Sequence, residues 1–485
     1  MPGAQVPSQA MEGLTPLQVG VGLPGAVEAV VFKVREWMRT APADHALLTL
    51  DFSNAYNTID RSAMLAAIAL KCPSFLHYAK FCYGAPTPLL ADDFSISSST
   101  GTQQGDTCGP LFFSVTVPDA IVASNVPNTT WSHWYLDDGA QAGHLATLAA
   151  AMDVLEPRAA AVGLKLNRSK CKLWGPGNAD STPYPSLAGI PWVPWSTGLI
   201  VLGTPVGSAP FVRGQLAAST DKLSVALELL QCLGCPQSSS LILRACLGAA
   251  KVVHLLRSAS YAESTMLASR VDSLLKSAWG VVLGVPLSEA QWSLANLPVR
   301  LGGCGAVSPS RIHPQAAIAS FLSAANGDIG IQLGSLPSDL DEALLKLRTA
   351  VPEMVGPLIE LWSSGSLAAV LSSEKIDTWV EQNLWSMAVD NAAVIAFDAE
   401  ACTRMTRLRR LQAGAHSGAW LTNLPVEKDA CAIFSAAEWQ ALLRFRCGSQ
   451  CKLIQCVVDV PHPSIPLVIM HSHALLVACM HATIG

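Results

Sequence analysis

The chain of 485 residues carries 31 Lys+Arg against 36 Asp+Glu, a formal net charge of -5, with 14% charged and 50% hydrophobic residues. Low charge with high apolar content excludes an intrinsically disordered chain and provides for a large core, and the length implies two or three domains. No apolar run of about 18 residues is free of charges or helix breakers, so no membrane span is expected. The acidic balance confines any nucleic-acid binding to a local basic face.

No repeat of solenoid period is visible, and no basic-then-apolar leader opens the chain. The 14 Cys are scattered without framework spacing, which fits reduced thiols in an intracellular protein, nuclear or cytoplasmic. Residues 1–23 read as an irregular lead-in and 24–39 as a helix with apolar residues on one face. Residues 45–51 read as a short buried strand ending in Asp51, and Asp60 is placed to cap a helix over 60–70. Residues 105–124 continue from Gly-Asp as an apolar helix, with a kink expected at Pro118. A strand over 131–136 meets the turn signal Asp137-Asp138-Gly139, and 140–143 can return as its partner. A helix over 144–161 and strands near 170–174 and 198–203 follow, with a Pro/Trp/Gly-rich loop at 175–198. Beyond 209 the pattern is helical, over 209–233, 239–258 and 262–283. Residues 326–340 read as a linker and 341–446 as mostly helical. The pair Cys232 and Cys235, at a predicted helix end, is assigned to packing.

Three acids stand where predicted strands end: Asp51 after LLTL, and Asp137 and Asp138 after WSHWYL. A carboxylate there is held by the sheet yet projects beyond it. Side-by-side strands would bring Asp51 to Asp137, and neighbouring carboxylates repel unless a cation bridges them. Hard oxygen ligands with open positions suit Mg²⁺, which takes one or two carboxylates plus substrate phosphates. Two such ions about 3.5–4 Å apart would activate an attacking 3′-oxygen and stabilise a leaving pyrophosphate. The competing reading makes Asp51 a turn or capping residue and Asp137-Asp138-Gly139 a plain hairpin turn.

The ordered motifs go further. Asp51-Phe52-Ser53-Asn54-Ala55-Tyr56, continuing to Asp60 and Arg61, resembles motif A of the reverse transcriptases of non-LTR retrotransposons. Gly101-Thr102-Gln103-Gln104-Gly105-Asp106, continuing through Gly109-Pro110 to Phe113, is similar to their motif B, with Thr107 and Cys108 where the family usually has Pro and Leu. Tyr135-Leu136-Asp137-Asp138 resembles motif C, Gly163 to Lys170 motif D, and Leu202-Gly203-Thr204-Pro205 motif E. Gln18 to Gly25, with Glu28, resembles the segment ahead of motif A. The resemblance covers residues 18–207. It implies an α+β fold: a right-hand polymerase palm over 1–208, with a small antiparallel sheet and helices on one face, then a helical thumb over 209–325 and a mostly helical region over 326–485.

The resemblance also implies roles. Asp51 and Asp137 would ligate two Mg²⁺ ions, or Mn²⁺ in their place, with the Phe52 carbonyl assisting and Asp138 in support. Tyr56 would lie under the sugar of a dNTP and reject a 2′-hydroxyl. Gln104 and Gly105 would let the backbone approach the nascent base pair, Lys170 would donate a proton to pyrophosphate, and Gly203 would grip the primer. The partners would be an RNA template, a DNA primer or target DNA, and dNTPs. Each residue has a plainer reading: Tyr56 a core aromatic, Lys170 a surface lysine, Gly203 a turn glycine. Only 17 residues precede the segment at Gln18, none of them Lys or Arg, so a palm and thumb without most of the fingers is expected. This leaves two readings, an RNA-directed DNA polymerase or a truncated retroelement remnant that keeps the fold.

Over 211–312 there are nine Lys/Arg and five Asp/Glu, and Arg244, Lys251, Arg257 and Arg270 are candidate phosphate contacts of a thumb. Arg404, Arg407, Arg409 and Arg410 form a second basic cluster that could bind nucleic acid. Cys451, Cys456, His471, His473, Cys479 and His481 are candidate ligands of a structural zinc, although only the first pair has regular spacing.

Overall fold

The structure, a computed structural model, describes Leu14, residues 17–91, 94–103, 105–117, Ile121, 129–177, 181–327, 332–413, Leu421 and 436–448. It is a mixed α+β protein that divides into two compact units. The first comprises 1–214, 320–336 and 365–376, and the second 215–319, 337–364 and 377–485.

The first unit is built on five strands in the order β4-β5-β1-β6-β7: β1 is His45–Leu50, β4 Thr129–Tyr135, β5 Asp138–His144, β6 Lys172–Trp174 and β7 Trp192–Val193. All neighbours are antiparallel except β6 and β7. Ala46, Leu48 and Leu50 give β1 one wholly apolar, buried face, while the other carries buried Leu47 between half-buried His45 and Thr49. Leu48, Leu50, Leu173 and Trp134 share one core with Leu148, Met152 and Leu155 of helix Leu145–Ala161. The opposite face carries Leu47 and Trp174. There Trp174 packs on Trp195 with centroids 4.3 Å apart and on Trp37 of helix Ala26–Thr40 at 6.3 Å. Helices therefore cover both faces, not the one face expected, because Leu47 and Trp174 on the second face must also be withdrawn from water.

Local signals explain most element ends. Asp60 caps helix Arg61–Lys71 by accepting from the Ala63 amide at 2.8 Å. The imidazole of His144 caps helix Leu145–Ala161 through the Ala146 amide. The apolar run after motif B forms helix Gly109–Thr116, and Pro118 lies outside the described residues. The hairpin β2 (Thr87–Ala91) and β3 (Phe94–Ser98) is absent from the sequence expectations, since its residues lack strict alternation. The loop expected over 175–198 contains β7 and a short helical turn at Pro185–Leu187. Strands β8 (Gly198–Val201) and β9 (Thr204–Gly207) form a second hairpin, turning through Leu202 (φ 46°) and Gly203 (φ 80°). Two positive φ values make this a type I′ turn.

Helices dominate the second unit as described. The helix expected over 239–258 is broken into Pro236–Ala245 and Val253–Ser258. Gly248 marks the break: a Cβ there would lie 2.5 Å from the Leu243 carbonyl oxygen. Cys232 and Cys235, expected to pack, are exposed, because the chain turns at the surface through Gly234 (φ 61°). No helix among the described residues is long and apolar enough to cross a membrane.

One buried polar cluster in this unit sets a pH dependence. His313 stacks on Tyr261 with centroids 4.1 Å apart, and its Nε2 lies 2.9 Å from Ser264 Oγ. Burial, with Lys346 adding to it, pushes the imidazole down to about 3. Between about 6.5 and about 3 the unfolded chain therefore binds a proton that the folded chain refuses, so stability is lost as pH falls through that window. Urea unfolding at pH 7 and pH 5 should show a loss of about 2 kcal/mol in all from this group. His313→Phe should be about 1 kcal/mol less stable at pH 7 but lose less on acidification; equal slopes for the two proteins would refute the assignment.

Candidate functional site

Antiparallel register sets Asp51 beside Asp138. Leu50 pairs with Gly139 across β1 and β5, so Asp51, one residue on, lies abreast of Asp138. The hairpin turn sits one residue earlier than its Asp-Asp-Gly composition suggests. Tyr135 pairs with Asp138, leaving Leu136 and Asp137 as the central residues. Leu136 has φ 58°, a left-handed conformation that costs an L residue about 1–2 kcal/mol. Asp138 and Gly139 already belong to β5.

The chain beyond Asp51 is tied to motif D by backbone bonds. The Asn167 amide donates to the Asp51 carbonyl and the Ser53 amide to the Lys165 carbonyl, both at 2.8 Å. This bridge brings Lys170 Nζ to 3.8 Å from Asp51 Oδ1. The Phe52 ring is buried and stacks on Trp134 at 5.7 Å, and neither bond of the bridge uses the Phe52 carbonyl.

The electrostatics are strained. Asp51 Oδ1 is buried and makes no hydrogen bond. Asp138 reaches the surface at the mouth of the site, yet burial around its carboxyl, reinforced by Asp137 and Asp51, pushes it up to about 6; Lys170 opposes the shift. Asp137 is also raised, by burial first and then by Asp51, against its own backbone and Lys170. The Tyr56 hydroxyl is buried without a hydrogen-bond partner, and burial together with the Asp137 charge holds its proton on. Its ring stacks on Phe113 at 4.7 Å. Tyr56 is thus a packed aromatic and also a neighbour of the acids.

A cavity of about 250 Å³ opens at this end of the sheet. Asp51, Asp138, Lys170, Tyr135, His133 and Thr49 line it, with Val30 and the Leu202–Gly203 turn on other sides. Asp137 does not line it. Sequence reasoning missed His133, although it precedes Tyr135 by two residues on β4 and so shares its face.

Motif B is held against motif A. The Thr102 amide donates to the Tyr56 carbonyl at 2.7 Å, and the Gly101 amide to the Ile59 carbonyl at 2.9 Å. Gly101 (φ 67°) is required, since a Cβ would lie 2.3 Å from the Tyr56 carbonyl oxygen. Arg61 is buried and donates to the carbonyls of Gly101 and Ser98. Asp106 accepts from the Tyr83 hydroxyl at 2.5 Å and the Cys108 amide at 2.9 Å. Gly105 (φ 93°) faces open space, and Gln104 lies outside the described residues.

No group of three or more His, Cys, Asp or Glu among the described residues is gathered closely enough to hold a metal ion unaided. The donor set nonetheless fits a cation completed by substrate oxygens: hard carboxylates, one buried oxygen without a hydrogen bond and raised proton affinities. The six Cys and His suggested as zinc ligands, Cys451 to His481, lie outside the described residues.

The basic residues are largely engaged within the protein. Arg244 donates to the Leu421 carbonyl, Arg257 to Gln382, and Arg270 pairs with Asp221 at 2.6 Å. Lys251 is exposed. Arg409 is buried against Asp398, which Arg410 also approaches at 3.4 Å. Arg407 is exposed, and the Arg404 side chain lies outside the described residues.

No family model matches the chain. Over 365 residues it is 26% identical to the retrotransposable element SLACS 132 kDa protein of Trypanosoma brucei gambiense, a match covering 68% of this chain and 27% of that protein. The chain thus spans about a quarter of the length of that relative, and it is related to a retroelement protein.

The raised carboxyls predict a stability effect. A folded-state value of about 6 at Asp138 means the folded protein holds a proton that the unfolded chain has released, so this group weakens the fold as pH rises through about 6. Asp138→Asn should therefore raise the melting temperature at pH 8 by roughly 2–4 °C without divalent ions, the gain shrinking to nothing near pH 4. A variant that melts lower than wild type at pH 8 would overturn this account.

Proposed function

We propose that this chain is an RNA-directed DNA polymerase of a retroelement, extending a primer 3′-hydroxyl with dNTPs on an RNA template. The observation that carries the reading is the β1–β5 register, which sets Asp51 abreast of Asp138, with Asp51 Oδ1 buried and without a hydrogen bond. Kinship with a retrotransposable-element protein supports it.

Asp51 and Asp137 would hold the metal ions, with Asp138 adding negative charge beside them. When bound, two Mg²⁺ supply activation of the primer hydroxyl and neutralisation of the leaving pyrophosphate. Lys170, within 4 Å of Asp51, would face the triphosphate and donate a proton as pyrophosphate leaves. Tyr56, clamped by Phe113, would present a rigid surface to the sugar, where a 2′-hydroxyl would meet the ring. Gly105 leaves room for the backbone to approach the base pair, and the Leu202–Gly203 turn borders the cavity where a primer end would lie.

One observation favours a second reading, in which the chain keeps the fold without catalysis: no three ligating side chains converge among the described residues. Primer extension on poly(rA)/oligo(dT) with Mg²⁺ separates the two. Wild type should extend, and Asp137→Asn should lower the rate by about 10²-fold or more. No extension by wild type supports the second reading; equal rates in the two proteins refute the metal assignment. Tyr56→Ala should admit ribonucleotides, and unchanged sugar discrimination would remove its gating role.

A further inference from the structure

The turn carrying Asp137 and Asp138 does not stand on local chemistry. A two-residue turn with positive φ at its first central position ordinarily wants Gly there, and this one has Leu136. What holds Leu136 comes from the other end of the first unit. Gln18 is 1% exposed, and its carboxamide bonds both polar groups of the Leu136 backbone. Oε1 accepts from the Leu136 amide at 2.8 Å, and Nε2 donates to the Leu136 carbonyl at 2.9 Å.

The backbone around Gln18 is itself anchored to the strand before the turn. The Trp134 amide donates to the Leu17 carbonyl at 2.6 Å, and the Val19 amide to the Trp134 carbonyl at 2.7 Å. The Gly20 amide donates to Gln18 Oε1 at 3.0 Å, which orients the carboxamide. Gly20 also lies against Leu136 so closely that a Cβ would meet the Leu136 nitrogen at 2.5 Å and its Cγ at 2.7 Å.

We infer that Gln18 is a positioning residue: its carboxamide locks Leu136 in the left-handed conformation and so fixes where the turn presents Asp137 and Asp138 to Asp51. A buried glutamine that merely satisfied itself could spread its bonds over any neighbours. This one spends both ends on a single strained residue adjacent to the first carboxylate. The consequence for cation binding rests on the polymerase reading; the lock does not.

The test uses the full chain and three variants. Gln18→Leu keeps the volume and removes both bonds. Gln18→Glu keeps the acceptor for the Leu136 and Gly20 amides. Gly20→Ala leaves the carboxamide intact and pushes Leu136 away. Two readouts are taken: hydrogen exchange at the Leu136 amide, and Mn²⁺ affinity by water-proton relaxation. Gln18→Leu and Gly20→Ala should each speed exchange and weaken Mn²⁺ binding by about tenfold, the size expected for one or two hydrogen bonds of ordinary net strength. Gln18→Glu should keep most of the exchange protection. Wild-type exchange in Gln18→Leu, or, if that variant does not fold, in Gly20→Ala, overturns the lock. If wild type binds Mn²⁺ and these variants bind it equally, the positioning role fails while the polymerase reading stands. If wild type binds no Mn²⁺ but exchange quickens in the variants, the lock stands and the polymerase reading fails.

Discussion

Everything at the candidate site follows from like charges held together at the end of a rigid sheet. The β1–β5 register does not let Asp51 and Asp138 move apart, because both strands are central and hydrogen-bonded on both sides. The strain shows in the raised proton affinities of Asp137 and Asp138 and in the buried oxygen of Asp51 that makes no hydrogen bond. A fold selected only for stability would relax such a cluster, by substituting one acid or by pairing it fully. Lys170 answers it only in part, at 3.8 Å and half in solvent. A cation and an anionic substrate would complete the neutralisation, and strain of this kind is how proteins prepare a binding site.

The loops around the acids are fixed by contacts distant in sequence. Arg61 joins the helix after motif A to the Gly101 carbonyl, and Asp106, held by the Tyr83 hydroxyl, accepts from the Cys108 amide just ahead of the next helix. In the second unit the same chemistry turns inward. Arg244, Arg257 and Arg409 are bound to internal partners, which leaves less free positive charge than a residue count suggests. Lys251 is exposed at the surface of this unit.

Kinship with a retroelement protein fits this arrangement without prescribing it. The match reaches about a quarter of that protein, so what the rest of such a chain contributes lies beyond this one. The site as described depends only on the first unit, whose strands, Lys170 and the Leu202–Gly203 turn all fall within residues 1–214.

Local sequence determined the elements whose signals are local. Apolar spacing marked helices Ala26–Thr40 and Leu145–Ala161, Asp60 marked a cap, and three acids at strand ends marked the site. Motif order pointed to a retroelement. Tertiary structure decided what depends on pairing. The turn falls at Leu136-Asp137 and not at Asp-Asp-Gly, because Gln18, more than a hundred residues earlier, supports a left-handed leucine. His133 joins the cavity because it shares a face of β4 with Tyr135, and both sheet faces are covered because Leu47 and Trp174 are apolar on the second one. The hairpin at 87–98 and the inward use of the arginines were likewise hidden. Side-chain type and spacing are properties of a segment, whereas register, strain and ion pairing belong to segments brought together, and no single segment carries that information.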